Sequence, residues 1–536
     1  MINAVKYDII ALKSNNPKQI IHIFKPKLKE DLSMQAKNKI LNLTFLILLA
    51  VCLTVYAPAC AKSEDQKADT PTAEKAADNT EGGEDGPADA GPVEYKAGAE
   101  VFDWGGKEFK ILVNPNNSDE WRDVDFTSEE QNGEPINDAV YLRSLTVEVE
   151  DMFNIRIIPV NTDYGSHVSN IRKTVNAGEN AYDLSFNSTF DSATLAQEGI
   201  LYDLYSVPNI DLAQPWWDQN AASDLSIMHK LYYMTGDIGT MYKKSVAIIL
   251  FNKQMMQDYA LGNPYQLVQE NKWTMDKFLE MCTAVSQDLN SDGKWDDQDK
   301  YGLLGYCDII AVSLIGGGVT FAEKNSDDVP EITFMNEKTV AIFEKITGLL
   351  YRPELFWSWS KAGSNNERSR VMFAGNQGLF NWNEFHSIPN LREMETDFGI
   401  LPMPLYDENQ NRYYHSVNPH VAQMMAIPTS NPEPENTGAV ISHLGAIGKN
   451  ILTPAYYDIS LKGKYARDEE SIATMDLIFS TITYDPGYMN NWGGLAQFTL
   501  NMVDSYKEDL VSQYEKLESK ALSALEKMTD KYASLE

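Results

Sequence analysis

The sharpest local chemistry in the sequence is an acidic run, Asp288-Leu-Asn-Ser-Asp-Gly-Lys-Trp-Asp-Asp-Gln-Asp299. Oxygen-bearing side chains stand at loop positions one, three, five, nine and twelve: Asp288, Asn290, Asp292, Asp296 and Asp299. Gly293 provides the turn at position six, and Lys294 offers its backbone carbonyl at seven. A hard divalent cation needs such a ring of oxygens, so the spacing predicts a calcium site, with a structural role. Position twelve is Asp rather than Glu, which shortens the arm for bidentate coordination, and Trp295 replaces the usual aliphatic at eight. The same residues would also make an acidic surface turn that holds no ion.

Nothing comparable points to catalysis. No nucleophile elbow, phosphate-cradling glycine loop or HExxH zinc motif occurs, and the seven His show no metal spacing. Gly316-Gly-Gly318 is a bare glycine run that suits a tight turn. Glycosidases need two carboxylates at a set separation, but a chain this acidic contains many by chance. The formal net charge of −32 excludes nucleic acid as a natural partner, because phosphate would be repelled. With 536 residues the chain can bury more than one core. Of four Cys, Cys282 and Cys307 fall in the folded part and read more simply as small buried hydrophobes than as a disulfide.

The N-terminal segment carries an address. Lys37 and Lys39 precede the apolar run Leu43–Tyr56, which is short for a membrane span, and Ala57-Pro58-Ala59-Cys60 follows. Small residues before a Cys resemble a lipoprotein signal, with Cys60 as the lipidated N-terminus. Pro58 departs from the best form of that pattern, so ordinary cleavage or an uncleaved anchor stay open. Met34 sits where such a signal would begin. Residues 61–98 are acidic and small, with almost no large apolar side chains, and cannot offset the entropy of ordering. A tether over 61–104 is expected, reaching on the order of 35 Å.

Behind these motifs lies an alternation of elements. Strands are predicted at 109–113, 155–159, 182–186, 246–251, 377–380 and 397–401, with order beginning near Phe109. Helical segments are predicted at 138–153, at 168–177 and after the N-cap Thr274, where Met275, Phe278, Leu279, Cys282 and Val285 share one face. The alternation predicts an α/β fold with largely parallel sheets. From Lys507 onward, Leu510, Tyr514, Leu517, Ala521, Leu525 and Met528 predict one long amphipathic helix.

Several segments, in order, resemble the extracellular solute-binding proteins of ABC importers, the group that includes maltose-binding protein. They are Tyr182-Asp-Leu-Ser with Leu195–Leu204, Leu231–Ile238 leading to Leu250-Phe-Asn-Lys253, Phe373–Trp382, and Phe398–Pro404 with Ile427-Pro428. The likeness covers about residues 105 to 530. It implies a two-lobed, hinged, periplasmic-binding-protein-like fold of type II with a C-terminal helix. The implied lobes are 105–252 with 399–455, and 253–398 with 456–505, followed by 506–536.

A sugar site needs aromatic platforms and fixed polar groups. Trp382, flanked by Asn381 and Asn383, matches the family's cleft aromatic. Thr189, Phe190 and Asp191 end a predicted strand, where α/β sheets bind ligands. Asp237 precedes the crossover, Asp308 follows Tyr306, and Trp492 stands beside Asn491 and two glycines. Trp216, Trp217, Trp357 and Trp359 suit a core as well as a platform. The resemblance implies a monomeric, lipid-anchored binder on the outer face of the cell membrane. It would capture a carbohydrate, expected to be an oligosaccharide, and deliver it to the permease subunits of an ABC transporter. A surface adhesin or sensor accessory would use the same lobes without transport.

Overall fold

The computed structural model describes residues 93–113, 125–126, 131–143, 149–362, 366–466 and 468–535. All of them belong to the unit Ala90–Glu536; Met1–Asp89, which includes Cys60 and its signal, lies outside the described residues.

Two mixed sheets organise the chain. The first has the order β12-β3-β1-β2, from β1 (Lys107–Val113), β2 (Ile155–Asn161), β3 (Leu184–Ser188) and β12 (Gln423–Ala426). The second has the order β10-β4-β9-β5-β8, from β4 (Ala247–Asn252), β5 (Tyr301–Gly305), β8 (Phe356–Ser358), β9 (Gly378–Glu384) and β10 (Phe398–Leu401). Two small pairs complete the set: β6 (Ala322–Lys324) with β7 (Pro330–Ile332), and β11 (His415–Ser416) with β13 (Ile482–Thr483). The continuous apolar run of β4 is explained by its place between β9 and β10, where both faces are covered.

Within each sheet the strands joined by local helical crossovers run parallel: β1 with β2 and β3, and β5 with β8 and β9. The strands beside the crossings run antiparallel: β12 against β3, and β4 against β9 and β10. The expectation of largely parallel sheets therefore holds for the locally connected strands only. A strand arriving from the other lobe need not enter in the direction that a βαβ unit imposes.

The strand assignments move the expected lobe boundaries. β4 and β10 both hydrogen-bond within the second sheet, so the chain crosses before Ala247 and returns only after Leu401, not at 252/253 and 398/399. Residues 455–465 pack on Pro135–Tyr141 of the first lobe, with Ala139, Val140, Leu452 and Ala455 sharing a small core, rather than beginning the second. The predicted helix over 138–153 is two helices, Pro135–Tyr141 and Val149–Phe153. The tether is shorter than expected at its C-terminal end. The Tyr95 backbone exchanges hydrogen bonds with the Asn450 amide at 2.9 and 2.8 Å, and Phe102 packs edge-on to Trp104 and Phe153. These aromatics gain more by burial than the polar residues before them could.

The helix after Thr274 is capped as predicted, the Thr274 hydroxyl accepting from the Lys277 N–H at 3.3 Å. Met275, Phe278, Met281 and Cys282 are buried, while Leu279 is only partly so. Cys282 and Cys307 are both free and buried. The C-terminal helix runs from Leu510 to Ser534 and buries Leu510, Tyr514, Ala521, Leu525, Met528 and Tyr532. Among the described residues, no helix is long and apolar enough to cross a membrane.

Candidate functional site

The carboxyl ends of the parallel strands in both sheets deliver the site. β3 leads directly into the helix Thr189–Glu198, whose start is fixed by Ser188: its hydroxyl accepts the Asp191 N–H at 3.2 Å. β5 ends at Gly305 and hands on to Tyr306, Cys307 and Asp308; β8 hands on to Trp359; β9 ends in Trp382-Asn383-Glu384. The crossing back to the first sheet contributes Asn418 and His420. Such strand ends are where open α/β sheets place ligands, because no side chain of the sheet itself fills the space beyond them.

Contacts tie these groups into one place. Phe190 meets the His420 ring edge-on, with centroids 4.7 Å apart. The Asn418 amide donates to Glu384 Oε1 at 2.7 Å, and His386 Nε2 lies 3.2 Å from Glu384 Oε2. Tyr306 packs on Trp359 at 5.2 Å, and Trp359 on Trp382 at 6.1 Å. A Cβ on Gly305 would lie 3.2 Å from that of Trp382, so glycine at the strand end allows the two backbones to approach.

Tyr306, Asp308, Trp359, Phe190, Asp191 and Asn418 keep part of their surface open, and His420 is exposed. Yet protein surrounds several of them closely enough to shift their proton affinities. Burial, then the negative charge of Glu384, pushes the Asp308 carboxyl up to about 7. Burial holds the His420 imidazole below its ordinary value, against the opposing pull of a hydrogen bond with Gln497 and the charges of Asp191 and Glu384. Burial also drives the Tyr488 phenol well up, with Asp308 and Glu384 adding to the effect. These partly open groups stand together at the strand ends of the two sheets.

The expected ligand residues divide. Phe190, Asp191, Asp308 and Trp382 come together here, with Trp382 as floor: it is 2% exposed, so the accessible rings are Tyr306 and Trp359. Asn381 and Asn383 do not share its face. Strand alternation turns them to the helix Asn366–Ala374, where Asn381 donates to the Ser369 hydroxyl at 3.0 Å and Asn383 donates to Asn366 at 3.2 Å. Thr189 is buried and donates to the Ala422 carbonyl. Asp237 is taken by Lys243, Lys449 and Thr453 at 2.9, 3.1 and 2.6 Å, and serves the first lobe's own structure. Trp492 is buried against the C-terminal helix, its indole N–H donating to Met528 Sδ at 3.1 Å. Trp216, Trp217 and Trp357 are core residues.

Sequence reasoning missed Glu384, Asn418 and His420. The only local signal was position: Glu384 is the last residue of its strand, on the same face as Trp382.

In the calcium-type loop the oxygens are occupied by the loop itself. Asp288 accepts from the Ser291 and Gly293 N–H groups at 2.7 and 2.9 Å; Asn290 accepts from Asp292, and Asp292 from Lys294. Asp296 accepts from Gln298, and Asp299, fully buried, accepts from Leu289 and Asp296. Among the described residues, no three His, Cys, Asp or Glu side chains gather as a metal-holding group. The loop leads into β5, with Gln287 bridged to Lys300, so no second helix follows it.

The sequence model of the bacterial extracellular solute-binding proteins matches residues 145–444, more than half of the chain. The chain belongs to that family. No curated protein matches it. Among solved structures, this solute-binding protein is similar to a cyclo/maltodextrin-binding protein complexed with maltotetraose. The TM-score is 0.50 at 14% identity, over 81% of this chain and 100% of the other. UspC of M. tuberculosis gives the same score and identity over 77% of this chain and 100% of its own. At such identity the likeness concerns the fold, a two-lobed α/β binding fold of the periplasmic-binding-protein type.

Proposed function

We propose that this solute-binding protein captures a carbohydrate between its lobes and delivers it to the permease subunits of an ABC importer. The observation that carries this reading is the convergence of strand ends from both sheets on an accessible, enclosed cleft. Rings (Tyr306, Trp359, Phe190) and hydrogen-bonding groups (Asp308, Glu384, Asn418, His420) line it together. Sugars present apolar ring faces and polar edges, and this lining offers a partner for each. The maltotetraose-bound relative lends the oligosaccharide reading its support. Hinged closure of the lobes would bury the ligand and give the permease a distinct shape to read. Cys60 would carry the lipid anchor that keeps the lobes at the membrane's outer face.

Thermal-shift and tryptophan-fluorescence titration of the full chain against a carbohydrate panel tests the reading, since a ligand of the folded state raises Tm by mass action. If no carbohydrate moves either signal, the reading fails. Loss of metabolic lipid labelling in Cys60→Ser tests the anchor. Calcium binding at 288–299 is a separate proposal, supported by the ligand spacing, with a structural role. Terbium emission sensitised by Trp295 checks it, and no emission at millimolar terbium rules it out.

A further inference from the structure

Among the described residues, most enclosed carboxylates are matched by cations or by backbone N–H groups. Asp183 pairs with Lys107 at 3.0 Å, Asp328 with Lys324 at 2.5 Å, Asp468 with Lys253, and Asp237 with two lysines. Asp485, buried without a lysine, accepts the N–H groups of Phe321 and Tyr488 at 2.7 and 2.9 Å. Asp308 in the cleft departs from this practice. The hydrogen bond described for Asp308 comes from the Cys307 thiol at 3.8 Å, and among the described residues the charges acting on it are those of Glu384 and Asp504. Both are negative. Around it stand Cys307, Tyr488 and Glu384, and none of these brings a positive charge.

Two further polar atoms in the same place make no hydrogen bond among the described residues. Glu384 is 4% exposed, and its Oε2 accepts no hydrogen bond, His386 Nε2 at 3.2 Å being its near neighbour. Trp382, two residues earlier on the same face of β9, buries its indole Nε1 without an acceptor. Buried polar groups without partners are costly, and a binding site keeps them when the ligand completes them.

We infer that the cleft selects a carbohydrate bearing a protonated amine, with the ammonium seated between Asp308 and Glu384 and the sugar ring against Tyr306 and Trp359. This rests on the carbohydrate reading above and narrows it. A neutral sugar would donate hydroxyls to the two carboxylates but leave their mutual repulsion in place as the lobes close. An ammonium cancels that repulsion, supplies several donors, and gains from the aromatic faces beside it. The net charge of −32 draws cations toward the protein at low ionic strength.

The test is isothermal titration of the full chain with a glucosamine tetramer in its free-amine form, with its N-acetylated counterpart and with maltotetraose. The expected result is at least tenfold tighter binding of the free amine, reduced to parity in Asp308→Asn with Glu384→Gln. Melting curves of each variant establish folding, and Asp308→Asn alone should already lower the preference. Equal binding of charged and neutral oligomers, unmoved by either variant, overturns this inference and leaves carbohydrate capture standing. Binding of a linear diamine in the absence of binding by any sugar overturns both.

Discussion

Asp237 and Asp308 are both aspartates at the edge of a lobe, and both are closely surrounded by protein, yet their surroundings set them to opposite tasks. Asp237 is closed in by Lys243, Lys449 and Thr453, and these groups hold its carboxyl below the ordinary value despite burial. Asp308 has other acids for company, and its carboxyl is pushed up to about 7. The first is a finished ion-pair hub that ties the crossing at 237–243 to the segment 449–453. The second keeps unspent interaction capacity, and it does so where two sheets end. A buried charge with all its partners is structure; one lacking them is where a partner is expected.

Asp237→Asn should show the largest effect, because it strands two partly buried lysines around one uncharged group. We expect a loss of about 3 kcal/mol in urea unfolding at pH 7. The sign in pH follows from the lowered value. The wild type holds this stability above the ordinary carboxylate range and loses it as pH falls through the folded-state value. A variant within a few tenths of wild type would erase the contrast.

Asp308→Asn should act in the other direction. A carboxyl raised from 3.8 to about 7 binds protons more tightly in the folded chain, so wild-type stability falls as pH climbs through that window and levels off above it. The amide removes the penalty, and a gain of about 2 kcal/mol at pH 8 is expected, with a flatter pH profile in thermal melts. Destabilisation at pH 8 would place Asp308 among the structural acids. Trp359→Ala sharpens the comparison from the ring side. About tenfold weaker sugar binding, roughly 1.4 kcal/mol, is expected by calorimetry with little change in the unfolding slope. Asp292→Asn, in the self-satisfied loop, should change metal-free stability by no more than about 0.5 kcal/mol, and in calcium should abolish any metal-dependent rise in Tm.

Local pattern made much of the scaffold readable. The apolar run of β4, the Thr274 cap and the stripe from Leu510 to Met528 each encode an element within one short stretch of chain, and each formed as read. The strand end before Thr189 was also readable, which is why Phe190 and Asp191 were proposed; the strand Tyr301–Gly305 before Asp308 was not. What a residue does once there was not. Asn381 and Asn383 look like hydrogen-bonding flanks of Trp382 in the sequence, but a strand sends alternate side chains to opposite faces, and Ser369 and Asn366 wait on the other one. Asp237 and Trp492 carry ligand-like chemistry that distant lysines and Met528 consume.

The sequence by itself determined the family and most of the alternating elements, since these follow from short-range periodicity and ordered motifs, while the strands Tyr301–Gly305 and Phe356–Ser358 emerged only in the fold. Tertiary structure alone decided which acids are matched and which are left open. That outcome depends on partners such as Lys449, more than two hundred residues from Asp237, and on His420 and Asn418 arriving from the return crossing beside Glu384. Charge balance in a cleft is a property of what folding brings within a few ångströms, and spacing along the chain does not encode it.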